Sequence, residues 1–195
     1  MNIITRIKNM FVKHKNENVP KNIFIDINKL DKTKTYVGLE IGTGTISKII
    51  QNLEHTVYKN IPCDKLPSHA LVLRYVNKQW MVWECHLKHS GIKQFPLSEY
   101  DVSTLANLLI YEYPLNLDTM DYWLNNNPGY SCVNLLEIAS ERLVGLTLPD
   151  TKGWVCSQAV AACNFNICLD MKLEFSNITP ADIYFYFNKN AKLIL

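Results

Sequence analysis

Apolar residues alternate with polar or small residues along much of the first half of the chain, a period of two that is typical of β-strands. Four segments carry this pattern: residues 35–41, 68–76, 80–86 and 105–113. The second and third are separated by Asn77, Lys78 and Gln79, which suit a turn, so these two segments predict a β-hairpin. Residues 95–100 lead towards the last strand.

A glycine-containing turn, residues 42–45, follows the first predicted strand and leads into an amphipathic helix. The apolar side chains of this helix recur at helical spacing: Ile46, Ile49, Ile50 and Leu53. A strand, glycine turn and helix can bind an anion, but this turn lacks the lysine and the glycine spacing of a phosphate-binding loop. We therefore interpret the turn as structural.

Past Pro114 the apolar period becomes that of helices, which predicts three helices and a last apolar stretch: residues 117–124, 132–143 and 155–165, then 183–195. A sheet followed by helices predicts an α+β fold. The length of 195 residues and the hydrophobic content of 48% suit one domain, which we assign to residues 21–195.

Residues 1–20 are interpreted as a basic amphipathic helix and a polar linker. The helix carries its apolar side chains at helical spacing, while its basic residues lie largely on the other side; the apolar set is Ile3, Ile4, Ile7, Met10 and Phe11. Two uses fit this pattern, packing on the domain or on a protein partner, and binding at a membrane surface.

Charge and hydropathy exclude some classes of partner. The net charge of +2 comes from mixed signs rather than from a basic block, which argues against nucleic acid. No run of about 18 apolar residues and no signal-peptide core occur, so we expect a cytoplasmic protein. The chain has 6 cysteines, which we expect to be reduced thiols because a core of this size does not need disulfides.

Cys156 is the candidate nucleophile. A thiolate needs a lowered pKa, and a helix N-terminus and a nearby imidazolium are two means of lowering it. Cys156 follows a turn-prone segment and opens a run of good helix formers, so its own backbone N–H could meet a developing oxyanion. The competing interpretation is that Cys156 is a small core residue, as free cysteines usually are.

His69 is the candidate base, at the start of the strand that carries Leu71 and Leu73 on the same face. If the hairpin sets His69 opposite His86, then Glu84 lies one diagonal step away, and either residue could orient the imidazole. A metal site is the competing use of these side chains, because Cys85, His86 and His89 are clustered. The spacings fit no zinc pattern, so we predict neither a metal nor a cofactor.

Several segments, in this order, resemble the circularly permuted papain-like amidases, which are the YiiX-like relatives of the NlpC peptidases and of lecithin retinol acyltransferase. The likeness covers about residues 36–184 and rests on five short pieces: Pro67 to Leu73, Val82 to Glu84 with Ser90 to Ile92, Pro96 to Tyr100, Trp154 to Gln158, and Ile178 to Tyr184. As in that family, the histidine strand precedes the cysteine helix. The hairpin between His69 and Glu84 is longer than in typical relatives.

The resemblance implies a small antiparallel sheet or half-open barrel packed against helices. It also implies that Cys156 is the nucleophile, His69 the base and Glu84 the residue that orients the base, with Tyr130 near the site. His86, from the hairpin pattern, is expected as a further supporting residue.

The function that we expect is a cysteine-dependent hydrolase or acyltransferase acting on an amide or ester bond. Peptides, cell-wall peptides and lipid acyl groups are the substrates that relatives use. The alternative from another class is a non-catalytic structural or binding subunit of a larger assembly such as a phage particle, in which case the protein would be located in the virion.

Overall fold

The structure is a computed structural model that describes residues 27–100, 108–131, 133–134, 137–138, 140–141 and 153–194. The amphipathic helix and linker predicted over residues 1–20 lie outside these ranges, and so does Cys132. The division into residues 1–20 and 21–195 therefore stays a prediction.

Six antiparallel strands form one sheet in the order β4-β3-β2-β1-β5-β6. Their bounds are Thr35–Glu40 (β1), His69–Val76 (β2), Gln79–His86 (β3), Gly91–Pro96 (β4), Leu108–Glu112 (β5) and Lys192–Leu193 (β6). The four predicted strand segments correspond to β1, β2, β3 and β5. Residues 105–107 of the last segment lie outside the described ranges. Together with the helices, this sheet confirms the α+β class.

The predicted hairpin is confirmed, but its turn is shorter than expected. Asn77 and Lys78 alone form the turn, with φ values of 51° and 66°, and Gln79 is already paired with Val76 in the sheet. Positive φ at both central residues is the mark of a type I′ turn, whose twist matches that of the strands it joins. The register of β2 and β3 is set by this turn.

Strand β4 is not predicted from the sequence, and this is a correction to the expected role of residues 95–100. Phe95 and Pro96 belong to β4, and Leu97–Glu99 form a 3₁₀ turn rather than an approach to the next strand. Because β4 is an edge strand, Pro96 can end it without breaking an internal ladder. The alternation in β4 is short, which explains why the pattern does not reveal it.

Five α-helices have both ends within the described ranges: Thr45–Val57 (α1), Leu117–Asn125 (α2), Cys156–Ala162 (α3), Asn166–Met171 (α4) and Pro180–Asn190 (α5). Residues 133, 134, 137, 138, 140 and 141 are helical too, and the rest of the helix predicted over residues 132–143 lies outside the described ranges. None of the described helices is long and apolar enough to cross a membrane.

The helix predicted over residues 155–165 ends early, at Ala162 (α3), and a separate helix that the sequence does not predict, α4, begins beyond it at Asn166. Asn164 interrupts the run, and its side-chain Oδ1 accepts a hydrogen bond from the backbone N–H of Asn166 (3.1 Å). A short polar side chain that bonds the nearby backbone competes with helix continuation. The last apolar stretch is likewise divided, into α5 and β6.

Helix α3 is the central buried element. All seven of its residues are buried, and it packs against β2 and β3 on one face of the sheet, within a core that also includes Val72, Trp83 and Phe187. A second core covers residues on the other face, among them Leu71 and Leu73. The N-terminus of α3 is therefore held at a fixed place beside the start of β2.

Helix α1 leaves several of its apolar side chains exposed to solvent and buries polar ones. Ile46 is 55% exposed, whereas Gln51 is 4% exposed. The Gln51 side-chain amide donates to the carbonyl oxygens of Gly42 (3.1 Å) and Leu66 (3.0 Å), and Glu54 Oε1 accepts from the Ala181 N–H (3.0 Å). The Gly42 turn is thus tied into the fold by structural hydrogen bonds.

This orientation of α1 predicts an unusual ranking of substitutions. Gln51→Ala leaves two buried carbonyl groups without their donor, and we expect a loss of about 1–3 kcal/mol in the free energy of unfolding. Ile46→Ala on the same helix should change it by less than about 0.5 kcal/mol. Urea denaturation followed by circular dichroism measures both, and a larger loss for Ile46→Ala would contradict the orientation.

Candidate active site

Cys156 is the first residue of α3, and side-chain hydrogen bonds fix the start of that helix. The backbone N–H of Val155 donates to Gln158 Oε1 (2.8 Å), and Gln158 Nε2 donates to the Ser176 carbonyl (3.1 Å). Ser157 Oγ donates to the Ile178 carbonyl (2.7 Å). Because first-turn N–H groups have no acceptor inside the helix, the N–H of Cys156 points out of the helix start.

The segment that leads to Cys156 is paired with the segment that carries Tyr130. The Trp154 N–H donates to the Gly129 carbonyl, and the Ser131 N–H donates to the Trp154 carbonyl, both at 3.0 Å. Gly153 has φ of +110°, and a Cβ there would lie 3.1 Å from the Tyr130 carbonyl carbon, so a glycine is required. This pairing places Tyr130 beside the start of α3.

His69 begins β2 and is paired with Glu40 of β1. The residue before it is held as well, because the Ser68 N–H donates to the Glu40 carbonyl (2.8 Å) and Ser68 Oγ accepts from the Gly42 N–H (3.2 Å). The His69 side chain is 9% exposed. The imidazole is therefore attached to a well-anchored strand end rather than to a loop.

Glu84, rather than His86, is the hydrogen-bond partner of His69. His69 Nε2 lies 2.7 Å from Glu84 Oε2, and the carboxylate is 1% exposed. Val72 pairs with Trp83, and the same register leads His69 towards His86, whose ring centroid is 5.1 Å away. Glu84 therefore lies on the diagonal from His69, which is the arrangement that the sequence left open as one of two.

The electrostatics of His69 link it to Cys156 as well as to Glu84. Burial disfavours the charged imidazole, but the charge of Cys156 and its hydrogen bond, together with Glu84, raise the pKa of His69 well above its usual 6.5. Since Nε2 faces Glu84, Nδ1 is the ring nitrogen left to face Cys156. Burial also raises the pKa of Glu84, but His69 outweighs it and keeps the carboxylate ionised.

His86 lies beside this trio without joining its hydrogen bonds. Its Nδ1 accepts from the Lys88 backbone N–H (3.0 Å), and its ring centroid is 6.4 Å from that of Tyr130. Burial, followed by the positive charge of His69, lowers the pKa of His86 to about 4. A neutral His86 with its proton on Nε2 follows. The supporting role of His86 stays a prediction.

His89 is a site residue that the sequence reasoning missed, because it was considered only as part of a metal cluster. Its Nε2 lies 3.2 Å from Glu84 Oε1. The sequence carries no periodic signal for this position, because His89 is brought over the end of β3 by the tight 3₁₀ turn Leu87–His89 between β3 and β4. Tyr100 is a further buried neighbour, and its hydroxyl donates to Glu40 Oε2 (3.0 Å).

The other four cysteines within the described ranges have no such surroundings. Cys85 Sγ points towards the carbonyls of Trp154 (3.6 Å) and Gly129 (3.8 Å), and burial raises its pKa. Burial also raises the pKa of Cys163, to about 12. The five cysteines within the described ranges are all free thiols. Among the described residues, no group of three or more His, Cys, Asp or Glu side chains is arranged to hold a metal ion.

Comparisons with known proteins add no assignment to this geometry. No family model matches the sequence, and no curated protein matches it either. The site must therefore be interpreted from its own side chains. It consists of a helix-start thiol, an imidazole next to it and a buried carboxylate behind the imidazole, an arrangement that can support nucleophilic chemistry at Cys156.

The pKa values of His69 and His86 should depart in opposite directions from that of a free imidazole. At pH 7 we expect His69 to remain cationic, and His86 to be neutral with its proton on Nε2 down to about pH 5. Two-dimensional ¹⁵N–¹H NMR of the imidazoles reads charge and tautomer directly, with His69→Gln and His86→Gln assigning the signals. A His86 that titrates near 6.5 would contradict the site geometry.

Proposed function

We propose that this protein is a cysteine-dependent hydrolase or acyltransferase that acts on an amide or ester bond, with Cys156 as nucleophile, His69 as acid and base, and Glu84 as the residue that orients His69. The observation that carries the proposal is the position of the His69 imidazole between a buried carboxylate and the thiol at the start of α3. A nucleophile, a base and an orienting group that lie in that spatial order define a catalytic triad.

We further propose that the fold is the permuted papain-like fold. The histidine strand precedes the cysteine helix along the chain, and the helix packs on the face of an antiparallel sheet formed by β2 and β3. Both features agree with the family that the sequence resembles. In addition, the pairing of the residues around Tyr130 with Trp154 gives the tyrosine of the resemblance a position next to the nucleophile.

The reaction begins with attack of the Cys156 thiolate on the carbonyl carbon. A carbon–sulfur bond forms and the carbonyl electrons move to oxygen, where the outward-pointing N–H of Cys156 can stabilise the oxyanion. When the carbonyl re-forms, the bond to the leaving amine or alcohol breaks, and His69 gives its Nδ1 proton to the leaving group. The product of this half-reaction is a thioester on Cys156.

The second half-reaction releases the acyl group. His69, now neutral, takes a proton from water, whose oxygen attacks the thioester carbonyl and expels the Cys156 thiolate. In an acyltransferase an acceptor amine or alcohol takes the place of water. Throughout, Glu84 stays ionised and holds Nε2–H, so that Nδ1 is the nitrogen that exchanges protons.

Burial of the thiol favours a second candidate, a non-catalytic structural or binding subunit that retains the fold. Cys156 is 3% exposed, so a substrate can reach it only if groups around the helix start give way. In a subunit without chemistry Cys156 would be a core residue, and its reaction with small electrophiles would be slow at every pH. The reactivity of the thiol therefore discriminates the two functions.

Alkylation by iodoacetamide, quantified for each cysteine by peptide mass spectrometry, tests the proposal. An ordinary thiol loses about tenfold in rate for each pH unit below about 8.5, whereas a thiolate paired with an imidazolium keeps its rate. We expect Cys156 to react at pH 6 within about threefold of its rate at pH 9, and His69→Ala to restore the ordinary slope.

Cys63 is the internal reference, because it is partly exposed and lies on a separate 3₁₀ turn, Cys63–Lys65. Cys163→Ala, on the residue that follows α3, is the matched control and should leave the Cys156 profile unchanged. A Cys156 that follows the slope of Cys63, or that resists alkylation until urea is added, would refute catalysis and support the subunit.

A further inference from the structure

We propose that His89 is a positioning residue that fixes the Glu84 carboxylate, so that one carboxylate oxygen stays aligned with His69 while the other is held by His89. The inference rests on the proposed function, because it assigns a fourth residue to the same site. It goes beyond the roles proposed for Cys156, His69 and Glu84, since it concerns the residue that holds the Glu84 carboxylate in place.

The two oxygens of Glu84 face two different histidines. Oε2 lies 2.7 Å from His69 Nε2, and Oε1 lies 3.2 Å from His89 Nε2. The Glu84 side chain is 1% exposed and that of His89 is 13% exposed. The carboxylate is therefore a bridge between two imidazoles, and rotation about its last bond would disturb both contacts.

The contact with His89 Nε2 is what compensates the second oxygen. Glu84 Oε1 and His89 Nε2 are both buried, and within the described part of the chain neither atom has a hydrogen-bond partner elsewhere, so each is the polar neighbour of the other at 3.2 Å. A buried carboxylate oxygen without any polar neighbour is strongly disfavoured, and it would seek one by turning. If His89 were absent, Glu84 would be free to turn away from His69.

The chain between β3 and β4 is shaped to bring His89 to this place. The 3₁₀ turn Leu87–His89 follows β3 directly, and Ser90 after it adopts φ of 56°, in the left-handed region. Gly91 has φ of +136° and pairs with His86. The His89 ring also packs 5.2 Å from the ring of Phe95, which holds it on the protein side of the turn.

The groups around His89 decide whether its imidazole is neutral or protonated. Burial lowers the pKa of His89, the Glu84 carboxylate raises it, and Lys88 and Lys93 lower it, so that the ring is neutral at neutral pH. The other groups facing Glu84 are His69, His86 and Lys88. A neutral Nε2–H can hold Oε1 without adding a positive charge that would compete with the His69 imidazolium.

Two substitutions at this position separate positioning from packing. His89→Gln keeps an N–H donor close to the place of Nε2, while His89→Phe keeps a ring against Phe95 and removes the donor. The readouts are the NMR titration of the His69 imidazole and the rate of Cys156 alkylation by iodoacetamide at pH 6.

We expect His89→Phe to lower the titration midpoint of His69 by about one pH unit and to slow Cys156 alkylation by about tenfold, because the imidazolium loses part of its carboxylate support. His89→Gln should stay within about threefold of the wild type in rate. Equal behaviour of the two variants, whether both match the wild type or both lose reactivity, would overturn the inference.

Failure of the inference can be told apart from failure of the proposed function. If wild-type Cys156 reacts as an ordinary thiol, the proposed function fails, yet the His69 titration still decides whether His89 supports Glu84. If His89→Phe does not fold, Glu84→Gln provides the reciprocal test in which His89 is retained. Loss of the carboxylate should then lower the titration midpoint of His89, and an unchanged midpoint would overturn the proposed contact between His89 and Glu84.

Discussion

The hydrogen bond between His69 Nε2 and Glu84 Oε2 is the interaction on which the site depends, and it lies almost out of reach of water. A buried carboxylate is tolerated only when its charge is compensated, and an imidazolium does this at short range. The same bond fixes the imidazole ring, so Nδ1 is directed to Cys156. One interaction thereby sets the charge of the His69 imidazole, its tautomer and its direction.

The elements around this bond are rigid for separate reasons. A type I′ turn sets the register of β2 and β3, which carry His69 and Glu84. Helix α3 is buried along its whole length, and the side chain of Gln158 fixes its first turn. The three side chains of the proposed site thus come from two strands and one helix, none of which can shift without breaking core packing.

The sequence predicts the hairpin, the helix start at Cys156 and the two candidate partners of His69, because turn residues and alternation are local signals. It misses β4 and the position of His89 beside Glu84, since the alternation in Gly91–Pro96 is short and a turn that folds a side chain back has no periodic signature. The orientation of α1 could not be predicted either. Its isoleucines form a good apolar stripe, but hydrogen bonds of Gln51 and Glu54 decide which side is buried.

Transfer of an acyl group from an activated ester such as p-nitrophenyl acetate to Cys156 tests the central claim most directly. Peptide mass spectrometry would locate the acetyl group as a function of time. The account predicts an acetyl thioester on Cys156 that forms and then disappears in the wild type, and that does not form in His69→Ala. Acetylation confined to Cys63 and surface lysines, with Cys156 unmodified in both proteins, would contradict it.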